Sequence, residues 1–204
     1  MRVTGGILRG RRILAPKRDV RPTQDKVKEA LFSILGPRVS GVRFLDAFAG
    51  SGAVGIEAWS RGASHVCWVE SDPKTVQVIQ SNNETLCDSE GEVVQADALR
   101  YLKERIARDP FDIVFLDPPY DFFSKTVNET PSMVGRLLEA VQTGGMLAAD
   151  GVVLIEQPDG TPLAELQGWE VVQDRRYGAT SIRFYKSSTS TGSTGSPRAD
   201  SGPA

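Results

Sequence analysis

Cysteine and histidine are nearly missing from this 204-residue chain, which holds Cys67, Cys87 and His65 and no others. Two thiols without a CxxC pair argue against a disulfide framework and a structural zinc site. One imidazole leaves no set of nitrogen ligands for a metalloenzyme. No stretch approaches the run of about 20 apolar residues that spans a bilayer. The opening MRVTGGILRGRRILAP carries arginines but lacks the continuous apolar core of a signal peptide. The remainder is ordinary: 40% hydrophobic and 25% charged residues, in a length typical of one domain with a real core. A cytoplasmic protein without a metal, away from membranes, is the expectation.

Charge is unevenly spread. Arg2, Arg9, Arg11, Arg12, Lys17, Arg18 and Arg21 stand against Asp19 alone in residues 1–21, which carry +6. The total is −2, so the remaining chain carries −8. A basic arm on an acidic body suits a polyanionic partner. A solvated tail that only keeps the chain soluble has the same composition.

The arm is taken as residues 1–22, an extended segment with room for one short hairpin. The domain proper is 23–186. Residues 187–204 contain 14 Ser, Thr, Gly or Pro among 18, too little apolar surface to fold, and are expected to be a disordered tail. Thr23 can cap a helix in which Val27, Ala30, Leu31, Ile34 and Leu35 recur at helical spacing, ended by Gly36-Pro37. Strand-like runs follow at 42–48, 64–70, 92–96, 111–117 and 151–156, with helical stretches near 53–61, 73–86, 98–107 and 131–142. This alternation predicts an α/β fold with a parallel sheet covered on both faces. The runs 169–176 and 180–186, joined by Tyr177-Gly178-Ala179, predict a closing hairpin that adds one antiparallel strand.

Two motifs carry chemistry. The first is Asp46-Ala-Phe-Ala-Gly50-Ser-Gly52-Ala-Val-Gly55, from the first strand into a helix. Glycines permit a tight turn and close approach to a ligand. Gly50-x-Gly52-x-x-Gly55 also satisfies the dinucleotide fingerprint, and Glu70 at the end of the second strand can take ribose hydroxyls in either reading. Asp46 favours a cationic ligand, since a carboxylate beside a pyrophosphate is repulsive. Asp97, followed by Ala98, ends the third strand where it can accept an adenine amino group. An N-cap of the next helix is an equal reading, and one carboxylate can do both.

The second motif, Asp117-Pro118-Pro119-Tyr120, follows the fourth strand. Two prolines fix an extended shape and aim the flanking carbonyls. The Asp117 carboxylate and the Pro118 carbonyl can each accept one N–H of a nucleobase amine, localising its lone pair toward an electrophilic methyl. Tyr120 can stack on the base, a contact worth about 1–3 kcal/mol. Phe122 and Phe123 either wall the site or pack on the next helix, while His65, Cys67 and Trp68 read as core. Arg175, Tyr177 and Gly178 lie near the hairpin, toward the edge where a substrate can approach.

Together these residues resemble a class I S-adenosylmethionine-dependent methyltransferase of the amino type. Gly5-Gly6, Arg9-Gly10-Arg11-Arg12, Arg21-Pro22-Thr23, Glu29-Ala30-Leu31-Phe32 and Ser60-Arg61-Gly62-Ala63 narrow the resemblance to the RsmD family of bacterial 16S rRNA guanine-N2 methyltransferases, over residues 1–186. The resemblance implies a seven-stranded Rossmann-like sheet, S-adenosylmethionine as cofactor, and a guanine of the small ribosomal subunit or an assembly intermediate as target. Asp46, Gly50, Gly52, Glu70, Asp97 and Ala98 are then the cofactor residues, and Asp117, Pro118 and Tyr120 the catalytic ones. The arm becomes the rRNA contact of a monomeric enzyme. Amino methylation of DNA adenine or cytosine is the nearest rival, but it calls for a reading domain that no insertion is long enough to supply. A dinucleotide oxidoreductase leaves Asp-Pro-Pro-Tyr unused, and a silent RNA-binding module leaves Asp117 and Tyr120 unexplained.

Overall fold

The computed structural model describes residues 1–15, 22–104, 109–125, 131–162 and 167–188. Lys17, Arg18 and Arg21 of the basic arm, and the tail beyond Ser188, lie outside the described residues.

Seven strands form one sheet: β1 Arg43–Ala47, β2 His65–Glu70, β3 Glu92–Gln95, β4 Phe111–Leu116, β5 Leu147–Pro158, β6 Trp169–Tyr177 and β7 Thr180–Ser187. Their order is β3-β2-β1-β4-β5-β7-β6. Pairings from β3 through β5 are parallel, and β7 runs antiparallel to both β5 and β6. The expected closing hairpin is therefore present, with its return strand inserted between β5 and the edge.

Strand alternation sorts the core into two layers. Phe44, Val66, Trp68, Ile113, Phe115, Leu154 and Ile182 face α1 (Pro22–Leu35), α2 (Ala53–Ser60) and α3 (Pro73–Leu86). Leu45, Cys67, Val69, Val114, Leu116, Val153 and Ile155 face α4 (Ala98–Glu104), α5 (Tyr120–Lys125) and α6 (Met133–Thr143). Such strands are apolar at successive positions because both faces are covered.

Three boundaries differ from expectation. Helix α1 opens at Pro22, so Thr23 lies inside its first turn; a proline at N1 forfeits no helical hydrogen bond. Strand β5 begins at Leu147, which pairs with Phe111; Ala148 to Gly151 then form an irregularity in the β4 pairing, which resumes at Ile113↔Val152. Helix α5 starts directly after the two prolines, in a segment outside the helical stretches expected from the sequence.

The first fifteen residues fold back as a hairpin. Arg2 and Arg12 form an antiparallel bridge, and Val3 and Ile13 join the core beneath. Glu57 of α2, fully buried, anchors the hairpin: its carboxylate accepts the Thr4 N–H at 2.9 Å, the Thr4 hydroxyl at 2.7 Å and the Gly5 N–H at 2.8 Å. Lys28 at 3.2 Å and Arg61 at 2.9 Å complete its surroundings. Burial pushes the Glu57 carboxyl up, but the Thr4 bonds, Lys28 and Arg61 outweigh it and hold the group below its ordinary value. Gly6, at a φ of 76°, is required here by backbone, whereas Gly5 has only a movable side-chain end in its way. A Cβ on Gly5 would meet the Arg61 guanidinium at 2.3 Å, and one on Gly6 would meet the Ser60 carbonyl at 1.8 Å.

Candidate active site

Ligands of open α/β sheets bind beyond the carboxyl ends of the strands, where neighbouring strands diverge in chain order. Here β1 separates β2 from β4, and both motifs lie at that crevice. β1 delivers Asp46 and then turns through Phe48, Gly50 and Gly52, all at positive φ (64°, 53° and 75°). A Cβ at Gly50 would meet nothing within 4 Å, so the loop faces open space there. Gly55 is different. A Cβ on it would lie 2.2 Å from the Trp68 indole nitrogen, which itself donates to the Gly52 carbonyl at 3.1 Å. The third glycine of the fingerprint thus serves helix packing on β2, whatever the ligand.

Carboxylates surround the loop. Glu70 accepts the Gly50 N–H at 2.9 Å through one oxygen, and the Ser71 and Asp72 N–H groups at 2.7 and 2.9 Å through the other. Asp46 is 1% exposed and accepts the Gly55 N–H at 2.9 Å. Burial holds its carboxyl well above the ordinary carboxylate range; the Gly55 bond opposes this, while Asp117 and Glu70 add to it. Asp97 is exposed at the end of β3 and accepts the Arg100 N–H at 2.8 Å, the N-cap bond expected for α4. Ala98 opens that helix and is buried.

Asp117 follows β4 and lines a cavity with Phe48, Gly50 and Ser51 of the loop and with Val27, Lys28 and Leu31 of α1. The structure therefore brings the glycine loop and Asp117 to one cavity, with Glu70 on the loop's other side. Asp46 lies beneath the loop rather than among the lining residues. Pro118 is buried, and Tyr120 is 37% exposed with its hydroxyl hydrogen-bonded to the Thr180 hydroxyl. Phe123 is buried against the α6 layer, and Phe122 meets Phe48 edge to face at 6.4 Å. Cys67 and Trp68 are fully buried; His65 at the start of β2 stands 3.7 Å from Glu92. Tyr177 faces Thr180 across the hairpin turn, and Arg175 and Gly178 are exposed beside it. Arg2, Arg9, Arg11 and Arg12 are all exposed on the N-terminal hairpin, together with Ile7 at 84%.

One cavity residue was missed. Glu156, near the end of β5, lies beside Asp117, and burial followed by the Asp117 charge lifts its carboxyl to about 8. The signal was present: VVLIE closes on an acid as HVCWVE closes on Glu70. The lysine of the lining, Lys28, is spent on Glu57 and on the Arg2 carbonyl at 2.8 Å. An open glycine turn among carboxylates suits a ligand with a cationic portion and hydroxyls. S-adenosylmethionine has both, and a pyrophosphate would find repulsion.

The sheet order, the reversed β7 and the crevice at β1 and β4 define the fold of the class I methyltransferases. The chain belongs to the RsmD family: the family described as Conserved hypothetical protein 95 matches residues 1–186. Ribosomal RNA small subunit methyltransferase D of Haemophilus influenzae is 34% identical over 91% of this chain and 93% of that protein. The protein of the same name from Escherichia coli K12 is 33% identical over 91% and 89%. The solved yhhF structure from Escherichia coli superposes with a TM-score of 0.78 at 30% identity, covering 92% of this chain and 97% of that one. Among the described residues, no helix is long and apolar enough to cross a membrane.

Proposed function

We propose that this protein transfers a methyl group from S-adenosylmethionine to the exocyclic N2 of a guanine in 16S rRNA. The observation that carries the reading is the placement of Asp117 at the end of β4, in one cavity with the open glycine loop. The names of the relatives support an RNA of the small subunit as substrate.

S-adenosylmethionine supplies a methyl on a sulfonium, an electrophile that needs no activation by a base. Gly50 and Gly52 allow backbone approach, Glu70 takes the ribose hydroxyls, and Asp97 with Ala98 receives the adenine end. Asp46 contributes negative character beneath the methionine portion. The chain's own task is to make a poor nucleophile attack. A guanine amine shares its lone pair with the ring; accepting its two N–H bonds at the Asp117 carboxylate and the Pro118 carbonyl returns that pair to nitrogen. The N–C bond forms as the S–C bond breaks, and the proton released from N2 passes to the Asp117 carboxylate. Tyr120 holds the base by stacking, with its hydroxyl fixed on Thr180. Positioning and desolvation supply most of the acceleration. The exposed hairpin arginines bind phosphates and offset the few kcal/mol spent in flipping the base.

The test uses small ribosomal subunits from cells lacking the enzyme, incubated with protein and S-adenosylmethionine and digested to nucleosides. Mass spectrometry should find new N2-methylguanosine, absent with Asp117→Ala. Tight S-adenosylmethionine binding without any methylated nucleoside would reject the target.

A further inference from the structure

The cavity holds a second carboxyl that the transfer chemistry leaves unused. Asp117 directly follows the end of β4, and Glu156 is the third residue from the end of β5. One step beyond the pair Leu116↔Ile155 the two come side by side, close enough for the Asp117 charge to act on Glu156. Residues in register on neighbouring strands stand about 4.8 Å apart and send their side chains to the same face. Both line the cavity.

Sheet order fixes which half of the site each flank serves. β1, β2 and β3, with the glycine loop, Glu70 and Asp97, lie on one side of β4; β5 and β7 lie on the other. Tyr120 is tied to the second side through Thr180, the first residue of β7. A base stacked on Tyr120 with its amine at Asp117 therefore extends its ring toward β5 and Glu156.

The ring atom beside the amine separates the candidate bases. In guanine it is N1–H, a donor, followed by O6, an acceptor. In adenine and cytosine it is a nitrogen lone pair. A carboxyl oxygen accepts from N1–H in either protonation state, and a retained proton can donate to O6. A base with a lone pair there repels an ionised carboxylate and offers a protonated one a single bond where guanine offers two. We infer that Glu156 is the specificity-determining residue of this site, accepting the guanine N1–H beside the amine held at Asp117. This inference rests on the guanine methylation proposed above.

2-Aminopurine keeps the amine at C2 but has a lone pair at N1 and no O6, so it probes this contact alone. Small subunits are assembled with guanine or 2-aminopurine at the nucleotide that becomes methylated, and kcat/KM is measured with labelled S-adenosylmethionine. The wild type should prefer guanine by about 100-fold or more, since 2-aminopurine leaves an oxygen of this half-buried carboxyl without its donor. Glu156→Leu should bring the ratio to within about 3-fold of unity, mainly by losing rate on guanine. Glu156→Gln, whose amide offers both an acceptor and a donor, should restore the preference. S-adenosylhomocysteine binding should be equal in all three, which reports an intact cofactor half. A wild-type ratio near one, or an undiminished ratio in Glu156→Leu, would overturn the inference and leave guanine methylation standing. Failure of the wild type to methylate either RNA would overturn the proposed function and the inference with it.

Discussion

Two glutamates, one fully buried and one half-buried, set the hairpin anchor against the active-site cavity. Glu57 is fully enclosed yet held below its ordinary pKa, because Thr4, Lys28 and Arg61 more than repay its desolvation. Glu156 is pushed up to about 8, because burial is joined by the like charge of Asp117 instead of a cation. Burial is common to both; the partners decide the outcome. A carboxylate that is satisfied from within holds the fold together. One left to a like-charged neighbour at a cavity is available to a ligand, and such pairs cluster at functional sites.

The contrast can be broken most sharply at Asp117. Replacing it with alanine should lower turnover by on the order of 10²–10³-fold, with S-adenosylhomocysteine affinity nearly unchanged by calorimetry. Full turnover would remove the amine-orienting role. Glu57→Ala should act on the other side of the comparison and destabilise the fold by about 3–5 kcal/mol, since it leaves Lys28 buried without its anion. Urea unfolding measures this, and a loss under about 1 kcal/mol would mean that the anchor contributes little.

Glu156 should give a pH signature of the opposite sign to that of Glu57. The folded chain keeps the Glu156 proton up to about 8, whereas the unfolded chain loses it near 4.5. Its contribution to stability is thus fully present below pH 4.5 and lost as the pH rises through 8. Glu156→Gln should flatten this fall, by roughly a few kcal/mol between pH 5 and 8.5. Glu57, with its lowered value, contributes stability above its unfolded pKa and loses it as the pH falls. Unfolding midpoints that move in parallel for wild type and Glu156→Gln would show that the shift has no thermodynamic weight.

The smallest effect concerns the outer face of the hairpin. Arg9, Arg11 and Arg12 changed together to alanine should leave the fold unchanged and reduce the salt dependence of RNA binding by a log–log slope of about 2–3. An unchanged slope would move the phosphate contacts elsewhere.

Most of the sheet was legible in the chain, because apolar runs ending at Asp46, Glu70 and Asp117 are local patterns with local causes. The start of β5 was not, since Leu147 pairs with Phe111 across an irregularity, Ala148 to Gly151, that no local pattern encodes. Helix α5 was hidden by the prolines before it, which signal a turn irrespective of the residues after them. The hairpin of residues 1–15 was only half visible: its glycines marked a turn, but the requirement for Gly6 comes from the Ser60 backbone some fifty residues away.

The sequence by itself determined the α/β class, the glycine turn, the Asp-Pro-Pro-Tyr edge and the basic character of the arm, because spacing, backbone freedom and charge are properties of short segments. Tertiary structure decided what surrounds each carboxyl. Only the register of β4 on β5 sets Glu156 beside Asp117, and only the docking of the hairpin on α2 gives Glu57 its donors. Desolvation and Coulomb interaction depend on distance through space, and the order of residues along the chain does not contain it.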